Sequence, residues 1–124
     1  LVDSCLSSIK NPKVAVLGVA YKADVDDARE TPASRIISLL SKKYNLSVSD
    51  PHVKKFSYEL SDFSKSVAGS DCIVIVTDHK EYKKLNPEDI SSMSHKIIID
   101  TRNCIDAEKF EKAGFKVVLL GGNK

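Results

Sequence analysis

The residues most able to do chemistry in this chain gather in one stretch, Lys13 to Pro32, which reads KVAVLGVAYKADVDDARETP. Thirteen of them, Val19 to Thr31, separate an apolar run from a helix start and carry Lys22, Asp24, Asp26, Asp27, Arg29 and Glu30. Lys22 and Arg29 suit a phosphate, the first as a point charge and the second as a two-pronged donor. The acids suit a supporting role. Asp26, Asp27 and Glu30 can orient the two cations, and Asp27 and Glu30 stand just before Pro32, where a helix N-terminus favours negative charge. Arg102, in the segment IIIDTRN, offers a third cation. Three cations on one rim would fit a diphosphate. Two blander readings stay open: a solvated charged loop for VDDARE, and an Arg102 that pairs with Asp100 and nothing more.

Other reactive side chains read as structural. His79, in Thr77-Asp78-His79, is expected to be a hydrogen-bonded loop residue rather than a base. Cys104 lies two residues past Arg102 but has no evident His partner in sequence, so a packed thiol is expected; Cys5 and Cys72 read the same way. Three cysteines without CxxC spacing argue for free thiols in a reducing cytosol and against zinc. A GxGxxG fingerprint would let the backbone approach a pyrophosphate. Only Gly18 is present, with Ala20 and Ala23 at the other two positions, so no independent NAD site is expected on this loop. No catalytic residue and no metal ligand is assigned.

Positioning these groups falls to alternating strands and helices. Val14 to Leu17 form a buried strand over about 13–18, closed by Gly18. Thr31 and Pro32 then start a helix over about 32–44, with Ala33, Ile36, Ile37, Leu40 and Tyr44 on one stripe. Leu46 to Ser49 is a short strand stopped by Asp50-Pro51-His52, and Phe56 and Tyr58 suggest an edge segment. Ser61 opens a helix with Phe63 and Val67 inward and Gly69 as its left-handed cap. Cys72 to Val76 is the most apolar run and reads as the central strand. Helical turns over 80–85 and 87–92 lead to a strand at Lys96 to Ile99, a helix from Asp106 to Ala113 and a last strand at Val117 to Leu120. The alternation predicts an α/β domain, Rossmann-like and three-layered, with a mostly parallel sheet and helices on both faces. In such sheets ligands sit outside the carboxyl ends of the strands, where the long loop must lie.

At 124 residues the chain is one domain, and 42% hydrophobic with 29% charged residues is ordinary for a globular protein. A formal net charge of +2 gives no reason to expect nucleic acid or a membrane surface as partner. The amino end carries acidic Asp3 and no basic n-region, so no signal peptide is expected there. Val2, Leu6 and Ile9 recur at helical spacing up to Asn11-Pro12, and the pattern begins abruptly, as if cut from something longer.

The stretch VAVLGVAYKADVDDARETPA, followed by SDPHV, VIVTDH and IIIDTRN, resembles the C-terminal UDP-binding domain of the UDP-glucose/GDP-mannose dehydrogenase family over about Lys13 to Gly121. The paired aspartates are most similar to the branch acting on UDP-N-acetylmannosamine and related UDP-N-acetylhexosamines. The resemblance implies residues 1–12 as the tail of a central helical, dimer-forming region and 13–124 as a UDP-binding Rossmann-like domain. It implies that Tyr21 and Lys22 hold the UDP-sugar, with Lys22 on the phosphates, that Arg29 reaches NAD bound to another domain, and that Arg102 contacts substrate. Members are cytoplasmic homodimers that oxidise the sugar C6 alcohol to the carboxylate with two NAD. Their catalytic Cys and NAD-binding glycines precede the region matched here, so this chain alone is not expected to catalyse. The alternative is a free-standing nucleotide-binding module.

Overall fold

Five short apolar runs become five parallel strands: β1 Lys13–Leu17, β2 Asn45–Ser49, β3 Cys72–Ile75, β4 Ile97–Asp100 and β5 Lys116–Leu119. The computed structural model describes residues 6, 9–20, 32–53, 56 and 58–119. Strand order is β2-β1-β3-β4-β5. Every pairing is parallel, with Val14 opposite both Leu46 and Cys72. The run Cys72 to Ile75 occupies the middle of the sheet and is buried at all four positions.

Strand periodicity divides the core in two. Val14, Val16, Cys72, Val74 and Ile99 face one side, against helix α1 (Pro32–Leu40), which contributes buried Ala33 and Ile37. Ala15, Leu17, Ile73, Ile75 and Ile98 face the other. That side is covered by α2 (Phe63–Val67), α3 (Lys80–Lys83), a 3-10 turn at Pro87–Ile90 and α4 (Ala107–Lys112), through Val67, Tyr82, Ile90 and Phe110. Helices therefore cover both faces of a parallel sheet, as the α/β reading requires.

Element ends differ from the expectation for identifiable reasons. Helix α1 stops at Leu40 rather than 44: Ser41 donates its hydroxyl back to the Ser38 carbonyl, and Lys43 and Tyr44 both turn their N–H groups onto the Leu40 carbonyl. Asp62, not Ser61, caps α2, because the Ser61 N–H is bonded to the Val48 carbonyl while the Asp62 carboxylate accepts from the Lys65 N–H at 2.9 Å. Among the described residues Phe56 and Tyr58 form no strand; they pack half-buried against the α1 side, and Leu60 makes an isolated bridge to Val48. Gly69 and Gly114 take the left-handed conformation behind α2 and α4.

Topology fixes where a ligand can enter. The chain leaves β1 toward α1 on one face and leaves β3 toward α3 on the other. A crevice opens between such diverging connections at the carboxyl edge, here between β1 and β3.

Candidate functional site

Three loops meet at that edge: residues 18–20 after β1, 50–53 after β2 and 77–79 after β3. They are locked together before any ligand arrives. Gly18 has a φ of 96°, and a Cβ there would lie 2.6 Å from the Thr77 Cβ and 2.8 Å from its backbone nitrogen. Only glycine permits that approach. The Thr77 hydroxyl donates to the Ala20 carbonyl at 3.1 Å, and the Gly18 N–H donates to the Ser49 carbonyl at 2.8 Å.

Asp50 is the hub. Its Oδ2 accepts from the N–H groups of Val19 (2.8 Å) and Ala20 (3.2 Å), and its Oδ1 from those of His52 (2.7 Å) and Val53 (2.9 Å). His79 Nε2 lies 2.8 Å from Oδ2, and neither side chain is exposed. Burial alone would raise the Asp50 pKa, but the bonds from Val19, Val53, His52 and His79 outweigh it and hold the carboxyl below its ordinary value. An ionised carboxylate only accepts, which assigns the shared hydrogen to His79 Nε2. His52 and Tyr82 pack beside the His79 ring, at centroid distances of 4.7 and 5.7 Å.

A second buried aspartate organises the loop after β4. Asp100 Oδ1 accepts from the Arg102 N–H at 3.1 Å, and Oδ2 accepts from the N–H groups of Cys104 (2.8 Å) and Ile105 (3.0 Å). The Thr101 hydroxyl donates to the Ile75 carbonyl at 2.6 Å, fastening this loop to the end of β3. Arg102 is thereby presented at the rim with its side chain half exposed, and its guanidinium lies 3.7 Å from Asp78. Its charged neighbour is therefore Asp78 rather than Asp100, whose carboxylate is taken up by backbone N–H groups.

Among the sequence candidates, Arg102 is thus on the carboxyl edge, beside the loop after β3. Tyr21, Lys22 and Arg29 lie outside the described residues, as does Cys5. His79 is a buried hydrogen-bonded loop residue, as expected. Cys104 is half buried, and its thiol is pushed up to about 12 by burial and by the adjacent Asp100. It is a packed thiol with little thiolate near neutrality. Sequence reasoning missed Asp50 and Asp100 as organisers; the available signal was an aspartate closing or directly following an apolar strand.

Beside this rim, on the α2 and α3 side, lies an open cleft of about 560 Å³. Asp50, Asp62, Glu81 and Asp89 line it together with Phe63, Tyr82 and Leu85. Its carboxylates would repel a diphosphate, so the rim between β1, β3 and β4 is the better match to an anionic ligand. Among the described residues, no group of three or more His, Cys, Asp or Glu side chains is arranged to hold a metal ion, and no helix is long and apolar enough to cross a membrane.

Comparison with known proteins finds relatives over most of the chain. The model of the UDP-glucose/GDP-mannose dehydrogenase family, UDP binding domain, matches residues 15–107. The UDP-N-acetyl-D-mannosamine dehydrogenase of Methanococcus vannielii is 45% identical over 120 residues, which span 92% of this chain and 28% of that protein. The structure of the UDP-N-acetylmannosamine dehydrogenase from Pyrococcus horikoshii superposes with a TM-score of 0.83 at 38% identity, over 98% of this chain and 29% of that one. An NDP-N-acetyl-D-galactosaminuronic acid dehydrogenase from Methanosarcina mazei superposes with a TM-score of 0.85 at 30% identity, over 97% of this chain and 27% of that one. The chain spans less than a third of the length of these relatives.

Proposed function

This chain belongs to the UDP-glucose/GDP-mannose dehydrogenase family, in its UDP-binding domain, and on that premise we propose that it binds the UDP-sugar of an NAD-dependent nucleotide-sugar 6-dehydrogenase. UDP-N-acetylmannosamine is the substrate proposed, and UDP-N-acetylmannosaminuronate the product. Lys22 and Arg102 hold the substrate with Tyr21, and Lys22 takes the phosphates. Arg29 reaches NAD carried by another domain of the full-length protein, which works as a cytoplasmic homodimer; residues 1–12 are the tail of its central helical, dimer-forming region. Oxidation of the C6 alcohol to a carboxylate takes up one water and releases two hydrides and three protons, so each sugar consumes two NAD.

The observation that supports this reading most is the place of Arg102 at the carboxyl edge, half exposed and 3.7 Å from Asp78 on the loop after β3, within a segment matched by the family's UDP-binding domain. The test is turnover by the full-length protein with UDP-N-acetylmannosamine and NAD. Two NADH per sugar are expected. Arg29→Ala should raise KM for NAD, while Lys22→Ala should raise KM for the sugar nucleotide. NAD kinetics unchanged in Arg29→Ala would refute the role given to that residue, and turnover of UDP-glucose in preference would refute the sugar.

A further inference from the structure

Asp50 does more than close a turn. It gathers five donors, the N–H groups of Val19, Ala20, His52 and Val53 and the imidazole of His79, from the loops after β1, β2 and β3. Val19 and Ala20 directly precede Tyr21 and Lys22 in the chain. His79 directly follows Asp78, whose carboxylate faces Arg102. One carboxylate thus fixes the backbone from which Lys22 departs and, through His79, the loop that carries the partner of Arg102.

A buried ionic cluster is not the arrangement that maximises stability, since well-packed apolar side chains of similar volume serve as well or better. What it provides is fixed geometry, because each hydrogen bond has one direction and one length. Among the described residues, Asp50 faces His79, and His52 and Tyr82 pack against its ring. His52 is in turn held by Glu81 at 3.1 Å.

We infer that Asp50 and His79 are a positioning pair for nucleotide binding, fixing the exit of β1 and the loop after β3, whose Asp78 faces Arg102 on the loop after β4, so that the carboxyl edge is set to receive one diphosphate. The inference rests on the UDP-binding reading above. Neither residue touches the ligand; both act through the loops that they hold.

Binding of UDP to the 124-residue chain, followed by amide shifts in NMR, tests it. Asp50→Asn turns an amide N–H toward donors, and should weaken UDP about tenfold or more, the scale of losing a charge-assisted bond and leaving buried donors unpaired. His79→Gln keeps a donor where Nε2 stands and should keep UDP affinity within about twofold, while His79→Phe, with no donor, should lose about tenfold. Should Asp50→Asn fail to fold, the two His79 variants still decide the matter. A merely structural His79 would lower the melting temperature in His79→Phe and leave the affinity of the folded protein unchanged, which overturns the inference. Equal losses in His79→Gln and His79→Phe overturn it as well. If the unsubstituted chain gives no response to UDP, the underlying reading fails, and this inference with it; normal binding by the chain and both Asp50→Asn and His79→Phe defeats the inference alone.

Discussion

A Cβ on Gly18 would stand 2.6 Å from the Cβ of Thr77, so the chain leaving β1 passes against the chain leaving β3 with no room for a side chain. The two exits at the switch point of the sheet are therefore in contact at Gly18 and Thr77, at the base of the crevice. Gly18→Ala must both displace Thr77 and hold a φ of 96° that alanine disfavours. Strain and overpacking together should cost about 2–4 kcal/mol, read as a lower urea midpoint. A loss under about 0.5 kcal/mol, the range of an ordinary surface change, would contradict the contact.

Asp50 makes acid stability a local readout. Its carboxyl titrates below the ordinary 3.8 because its hydrogen bonds outweigh the cost of burial. A group with a depressed folded pKa adds stability that is fully present above its unfolded value and is lost as the pH falls through the folded one. Unfolding free energy should therefore drop as the pH goes below about 4, and Asp50→Asn should flatten that acid limb while lowering stability at neutral pH. Parallel acid limbs in the two proteins would contradict the assignment.

Cys104 should resist alkylation. With its thiol pushed up to about 12, almost none is thiolate at pH 8. Iodoacetamide followed by peptide mapping should leave Cys104 unmodified in the folded chain and label it after denaturation. Fast labelling in the folded state would mean that Asp100 does not hold the thiol as described.

The strands were legible because each is an apolar run bounded by turn residues, and the helix faces because their apolar positions recur at helical spacing. Arg102 was legible as a rim residue because it follows the end of an apolar strand. The hub was not. Asp50 and His79 are 29 residues apart and meet only once β1, β2 and β3 are aligned, so Asp50-Pro51 reads locally as a strand stop. The same holds for Lys13, whose ammonium group caps α2 by donating to the Lys65 and Ala68 carbonyls at 3.0 and 2.7 Å. It also holds for Asp78, which faces Arg102 only because β3 and β4 are neighbours. Pairwise partners at long range come from topology, which local pattern does not encode.

Arg102 separates binding from folding. Its side chain is half exposed and its contact with Asp78 is 3.7 Å, so Arg102→Ala should change stability by less than about 1 kcal/mol. Loss of a charged donor to phosphate should nevertheless weaken UDP about tenfold. Equal UDP affinity in Arg102→Ala and the unsubstituted chain would remove Arg102 from the site.

Titration of the chain with UDP, read by amide shifts and with NAD as the comparison ligand, tests the central claim most directly. Shifts are expected at the carboxyl edge, at Val19, Ala20, Thr77 and Arg102 and at Tyr21 and Lys22, with little response to NAD. Unmoved amides at millimolar UDP, or shifts confined to the amino edge of the sheet, where His95 Nδ1 lies 2.6 Å from Asp71 just before β3, would contradict the claim.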